Sequence, residues 1–137
     1  AFLRTGAPFG VSFSATQPGW RGGRADLVRD PKLPRSERSR DRWFDTSAFA
    51  VPVPFTYGNS ARNMLFGPGA MEFDVSLLKN TVIRERWTAQ FRAEFFNLAN
   101  HANLGGPSTN ISVPATVGKI FGASGSRQIQ FALKVLF

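Results

Sequence analysis

The chain has 137 residues, a formal net charge of +8, no cysteine and a single histidine. That length holds one domain's worth of core at most, and the missing cysteine excludes disulfides and thiolate metal sites. No apolar run approaches the ~20 residues of a transmembrane helix, and helical periodicity is weak throughout, so a membrane-embedded reading requires strands.

In chain order, Phe9 to Ala15 reads as a first strand with Phe9, Val11 and Phe13 on one side. A long irregular stretch follows, from Gln17 to about Gly69, punctuated by Pro18-Gly19, Gly22-Gly23, Pro31, Pro34, Pro52, Pro54 and Gly67-Pro68-Gly69. Proline and glycine at this density cannot sustain a ladder, so a large loop is expected, with a short hairpin around Ala48 to Tyr57. Ala70 to Leu78 forms the second strand, a tight link covers Lys79–Glu85, and Arg86 to Leu98 forms the third. A second loop, Ala99 to Ser126, is rich in Asn, Gly, Ser and Pro and holds a possible short strand at Val117–Phe121.

The final strand runs to Phe137. Ile129, Phe131, Leu133, Val135 and Phe137 alternate with Gln128, Gln130, Ala132, Lys134 and Leu136, which is the strand period. Met71, Phe73, Val75 and Leu77 oppose Glu72, Asp74 and Ser76 in the same way, and Trp87, Ala89, Phe91, Ala93 and Phe95 oppose Thr88, Gln90, Arg92 and Glu94. A soluble sandwich would put the polar faces in water. A membrane barrel would put the apolar faces in lipid and Glu72, Asp74, Arg92, Glu94 and Lys134 on a polar lumen. Trp87, Phe95, Phe96 and Phe137 gather at strand ends, where interfacial girdles lie. The tight link would then be periplasmic and the two long loops external. The chain opens on Ala1 with no basic-then-apolar leader, so a processed product or a piece of a longer polypeptide is expected.

Arg42 to Phe49, Phe55 to Asn63, Gly67-Pro68-Gly69, Phe73 to Asn80, Gln90 to His101 and Arg127 to Phe131 resemble the C-terminal end of TonB-dependent outer-membrane receptors. Within them the similarity is to the Oar-like group that carries a carboxypeptidase-regulatory-like domain. The resemblance implies an all-β fold in a bacterial outer membrane. It has about four long antiparallel strands and two long external loops, with residues 1–137 forming a single region at the C-terminal part of the barrel. Such barrels have about 22 strands around a plug, so four strands are incomplete alone. The implied partners are the remainder of the barrel, outer-membrane lipid, and the TonB system only through parts outside these residues. The alternative is a separate structural subunit that pairs its sheet edges with copies of itself or other chains. The ending also resembles a barrel-assembly signal, polar-x-Gly-x-x-apolar-x-aromatic, at Gln130, Ala132, Val135 and Phe137, with Ala132 in the glycine position.

The basic excess lies mainly in the first long loop. There Arg21, Arg24, Arg35, Arg38 and Arg40 are candidate contacts for anionic lipid or ligand, since guanidinium suits phosphate. Interspersed acids make a solvated loop the simpler reading. Arg21-Gly22-Gly23-Arg24 with Trp20 and Trp43 offers one nucleic-acid-like element, too little to expect that partner. His101 has no neighbouring acid, Glu72, Asp74 and Glu94 read as ordinary cross-strand groups beside Arg92 and Lys79, and no calcium-loop spacing occurs. Asn110-Ile111-Ser112 fits a glycosylation acceptor, with meaning only in a eukaryotic secretory setting. The expectation is a non-enzymatic chain without cofactor or metal.

Overall fold

The computed structural model describes residues 1–15, 18–20 and 22–137. The chain divides into two compact units, one formed by Ala1–Arg4, Ala70–Asn103 and Ala123–Phe137, the other by Thr5–Gly69 and Leu104–Gly122. The ladders that hold each unit together are antiparallel. Among the described residues there is no α-helix, only two single 3-10 turns.

The first unit is built on strands β1 (Phe2–Arg4), β2 (Ala70–Glu72), β3 (Val75–Arg84), β4 (Trp87–Phe96) and β5 (Gln128–Leu136). β1 pairs with β2, and β5-β4-β3 form a three-stranded sheet with β4 at its centre. β3 runs well past the expected end at Leu78, and the reversal is confined to Glu85 and Arg86. Residues 79–84 of the expected link are therefore strand. Thr81, Val82 and Ile83 are β-branched and suit a pleated chain. Asn80, which resembles a turn residue, instead accepts a hydrogen bond from Gln90 Nε2 on β4 at 3.0 Å. A register shift between Trp87 and Thr88 adjusts the strands next to this short turn, as bulges do.

The opposite ends of the strands are tied by asparagines. Asn97 ends β4 with φ 48°, a left-handed conformation that asparagine tolerates better than most residues. Its backbone N–H donates to Asp74 Oδ1 at 2.8 Å, in the break between β2 and β3. Its side-chain amide donates to the carbonyls of His101 and Gly125 and accepts from the His101 N–H. Asn103 exchanges both amide groups with the backbone of Met71, standing in for a neighbouring strand. Both side chains are buried. Gly125 has φ 89°, and a Cβ there would lie 3.1 Å from Asn103 Nδ2 and 3.3 Å from Asn97 Nδ2.

The second unit has its own small core of Val11, Ala25, Phe44, Ala48, Phe49 and Leu65. Two-residue ladders hold it together: Pro8–Phe9 with Leu65–Phe66, Ser12–Phe13 with Gly23–Arg24, and Asp26–Leu27 with Phe49–Ala50. The expected strand over 9–15 is thus split into two pieces that change partners around Gly10 and bury Val11 and Phe13. The expected hairpin over 48–57 does not form. Phe49–Ala50 pairs with a distant segment, and Pro52 and Pro54 lack the N–H groups that a local ladder needs. At 117–121 the expected strand is replaced by a turn in which Val113 O accepts from the backbone N–H groups of Thr116 and Val117, with Gly118 at φ 78°.

Replacing Asn97 with alanine removes three side-chain hydrogen bonds to the backbone of His101 and Gly125, and the unfolding free energy should fall by about 1–3 kcal/mol. Gly125→Ala should lower it by roughly 1–3 kcal/mol through left-handed strain and crowding. Urea unfolding in lipid vesicles reads both values. Two variants within 0.5 kcal/mol of the parent would show that the asparagine cluster does not hold the strand ends.

Candidate functional site

Cross-strand partners share a face, so the register sorts every side chain of the sheet. On one side lie Val75, Leu77, Lys79 and Thr81 of β3, Ala89, Phe91, Ala93 and Phe95 of β4, and Ile129, Phe131, Leu133 and Val135 of β5. On the other lie Ser76, Leu78, Asn80 and Val82, then Thr88, Gln90, Arg92 and Glu94, then Gln130, Ala132, Lys134 and Leu136. The first face is mostly hydrocarbon, broken on β3 by Lys79 and Thr81; the second carries all the amides and the remaining charges, interspersed with Leu78, Val82, Ala132 and Leu136.

The apolar face is bare. Phe131 is 65% exposed and Leu133 71% exposed, although both sit mid-strand. Aromatic contacts run along it, with Phe131 6.2 Å from both Phe91 and Phe95. At the end near the short turn, Phe137 stacks on Trp87 at 5.3 Å. A water-exposed apolar patch of this extent is rare in soluble proteins and marks a surface meant for another apolar phase. Ten residues of strand tilted as in membrane barrels reach roughly 25 Å, the height of a bilayer's apolar band.

The polar face carries Arg92 and Glu94, paired at 3.8 Å, in a row with Gln90 and Lys134. Lys79 departs from the expectation that it joins them. The antiparallel register sets it opposite Phe91, on the apolar face. Asp74 is also withdrawn from that row, because it accepts the Asn97 N–H at the strand end. Of the assembly-signal positions, Gln130 and Ala132 lie on the polar face, Val135 lies on the apolar face, and Phe137 follows β5 at the turn end.

The arginine candidates are dispersed over separate tasks. Arg21 lies outside the described residues. Arg24 donates through Nη1 to Ser60 O at 2.9 Å, and Arg38 donates through Nε to Leu33 O at 2.8 Å while lying 5.8 Å from the Trp43 ring centroid. Arg35 opens the exposed 3-10 turn Arg35–Glu37, and Arg40 offers its backbone oxygen to Ile120 N–H. The arginines that do converge are Arg29 and Arg42, on Asp45. Asp45 caps the turn Thr46–Ala48 by accepting from Ser47 N–H. The Ser47 hydroxyl first, and then the Ser47 amide and Arg29, hold its carboxyl below the usual range against the opposing effect of burial. His101 contributes backbone groups to the asparagine cluster.

With one face bare and apolar, the other polar, and both outer edges of the sheet unpaired among the described residues, the arrangement is that of a barrel wall. The outer membrane beta barrel domain family matches residues 1–130. The chain belongs to that family. No curated protein and no solved structure matches it. The protein is a β-barrel segment of the bacterial outer membrane, and the bare face that carries Phe91, Phe131 and Leu133 is the one suited to lipid.

Sequence reasoning located the faces but missed the asparagine cluster. Its available signal was the pair of amides in Asn97-Leu98-Ala99-Asn100-His101-Ala102-Asn103 directly after an amphipathic strand, where a left-handed residue ends the ladder.

An arginine at Leu133 should reduce membrane insertion by about 2–4 kcal/mol, whereas one at Gln130 on the lumenal face should cost little. Folding yields in bilayers measure the difference. Equal losses for both variants would contradict the assignment of faces.

Proposed function

We propose that this segment is a structural part of the barrel of a TonB-dependent outer-membrane transporter and has no enzymatic role of its own. The reading rests on the resemblance of Arg42–Phe49, Phe55–Asn63, Phe73–Asn80 and Gln90–His101 to the C-terminal end of those receptors. The observation that carries it is the sheet with open edges at both β3 and β5, which needs further strands. In hydrocarbon each unpaired backbone group costs several kcal/mol, so the edges must be met by the rest of a barrel. Loop length sets the direction, since the Glu85–Arg86 turn is short and short turns are periplasmic in such barrels. Trp87 and Phe137 then form part of the periplasmic aromatic girdle.

The test is cross-linking between the TonB periplasmic domain and the polypeptide that carries this segment, in intact cells. A specific cross-link supports the transporter reading, and a barrel that assembles without one contradicts it. Open edges also suit a separate subunit that completes its sheet with other chains. Native mass spectrometry in mild detergent separates that case, because a monomer argues against it.

If Gln130, Ala132, Val135 and Phe137 are read as an assembly signal, deleting Phe137 should reduce outer-membrane yield far more than Ile129→Ala. The latter costs about 2–5 kcal/mol when fully buried and less when lipid-facing. Equal yields for the two variants would remove the signal.

A further inference from the structure

In the second unit, the rings of Phe13, Trp20, Phe55 and Tyr57 line a cleft of about 430 Å³, together with Arg24 and Thr56. That volume lies within the range of small-molecule sites, ~300–1,000 Å³. Phe13 forms a buried floor, and Trp20 leans on it at a centroid distance of 5.0 Å. Phe55 stands 6.2 Å from Trp20 and is 68% exposed, while Tyr57 is 97% exposed. Phe55 also holds a left-handed backbone, φ 63°, a rare conformation for a bulky residue. The local turn is fixed by Thr56, whose N–H and hydroxyl both donate to Val53 O at 3.1 and 2.6 Å. Burial in the unit's own core does not account for an exposed ring on a strained backbone. Gly58 lets the segment 58–60 lie flat against Arg24 and Ala25, since a Cβ there would collide with the backbone of both.

We propose that this cleft binds a saccharide, with one pyranose ring packed on Phe55 and Trp20 and the adjoining sugar reaching Tyr57. The cleft lies open to water, so a wholly apolar ligand would keep one side wet and gain little from burial. A sugar ring presents a C–H face to an aromatic surface and keeps its hydroxyls in water or within reach of polar groups. Tyr and Trp are suited to that division, with an apolar body and a polar tip. No carboxylate is among the described lining residues, and the chain's net charge of +8 disfavours a cationic ligand. The one cation among them, Arg24, is already tied to Ser60 O. The inference stands independently of the transporter reading, because it concerns only the second unit's own rings.

The same ring chemistry is offered by soluble oligosaccharides and by the sugars of lipopolysaccharide, and the test separates them. Maltohexaose and xylohexaose, and in a separate arm delipidated lipopolysaccharide, are titrated calorimetrically into the detergent-solubilised barrel that carries this segment. Saturable binding is expected, weakened about tenfold by Phe55→Gly and by Tyr57→Ala. Glycine adopts φ 63° without strain, and Tyr57 is solvent-exposed, so both variants should keep the parent's melting curve. Val113→Ala, an exposed apolar change outside the cleft, should keep the parent's affinity. Binding of the delipidated polysaccharide alone, with the same loss in both variants, supports the stacking site and assigns its sugar to the membrane's own surface. No saturable binding of any probe, or unchanged affinity in Phe55→Gly and Tyr57→Ala, overturns the proposal.

Discussion

The rest of the spanning unit depends on the register of β4 between its two neighbours. Phe91 lies opposite both Lys79 and Leu133, and Glu94 opposite both Ser76 and Gln130. A slip of one residue between β4 and β5 would carry the apolar set of β5 to the polar face and Lys134 to the apolar one. In a bilayer that exchange puts charge and amides into hydrocarbon, at about 2–4 kcal/mol for each cation at the midplane. The sheet therefore has a strongly preferred pairing before any loop is considered. Within this sheet, among the described residues, only β4 has both edges paired, so the unpaired edges of β3 and β5 make this segment dependent on further strands.

At the ends opposite the short turn, the pairing pattern needs a termination, which the asparagines supply. A strand that stops in a protein leaves carbonyls and N–H groups that must find partners. Asn97 and Asn103 satisfy several at once because a carboxamide both donates and accepts. In the second unit Asp45 gathers Ser47, Arg29 and Arg42 around the turn that delivers Phe44 and Phe49 to the core. Asn59 does similar work against Asp26 and Leu27, where side-chain and backbone groups replace a ladder. Polar residues of the conspicuous motifs thus act mostly as backbone partners in an irregular chain.

The spanning strands were legible because their alternation is a local property. Gln128 to Leu136 and Trp87 to Phe96 could be sorted into faces residue by residue. The tail of β3 was harder, since Lys79 and Asn80 resemble the start of a turn and only the opposing Phe91 and Gln90 show otherwise. Lys79 on the apolar face breaks the pattern by which faces are recognised. The second unit was largely illegible. Its ladders are two residues long and join segments far apart in sequence, as in Asp26–Leu27 with Phe49–Ala50. Neither periodicity nor proline spacing reports a partner at that distance. Charge misled as well, because a row of arginines looks like one basic surface, yet Arg24 and Arg38 are each held by a different backbone carbonyl.

Lipid contact along the face bearing Ile129, Phe131, Leu133 and Val135 is the consequence of the β4–β5 register that can be measured most directly. The chain has no cysteine, so a spin label can be placed at each position from 128 to 136 without a background site. Collision rates with oxygen, which partitions into lipid, and with a water-soluble nickel chelate should then oscillate with period two and in opposite phase. Oxygen should peak at 129, 131, 133 and 135, and nickel at 128, 130, 132 and 134. An oscillation of the reverse phase, or uniform exposure to the nickel chelate along the strand, would contradict the account.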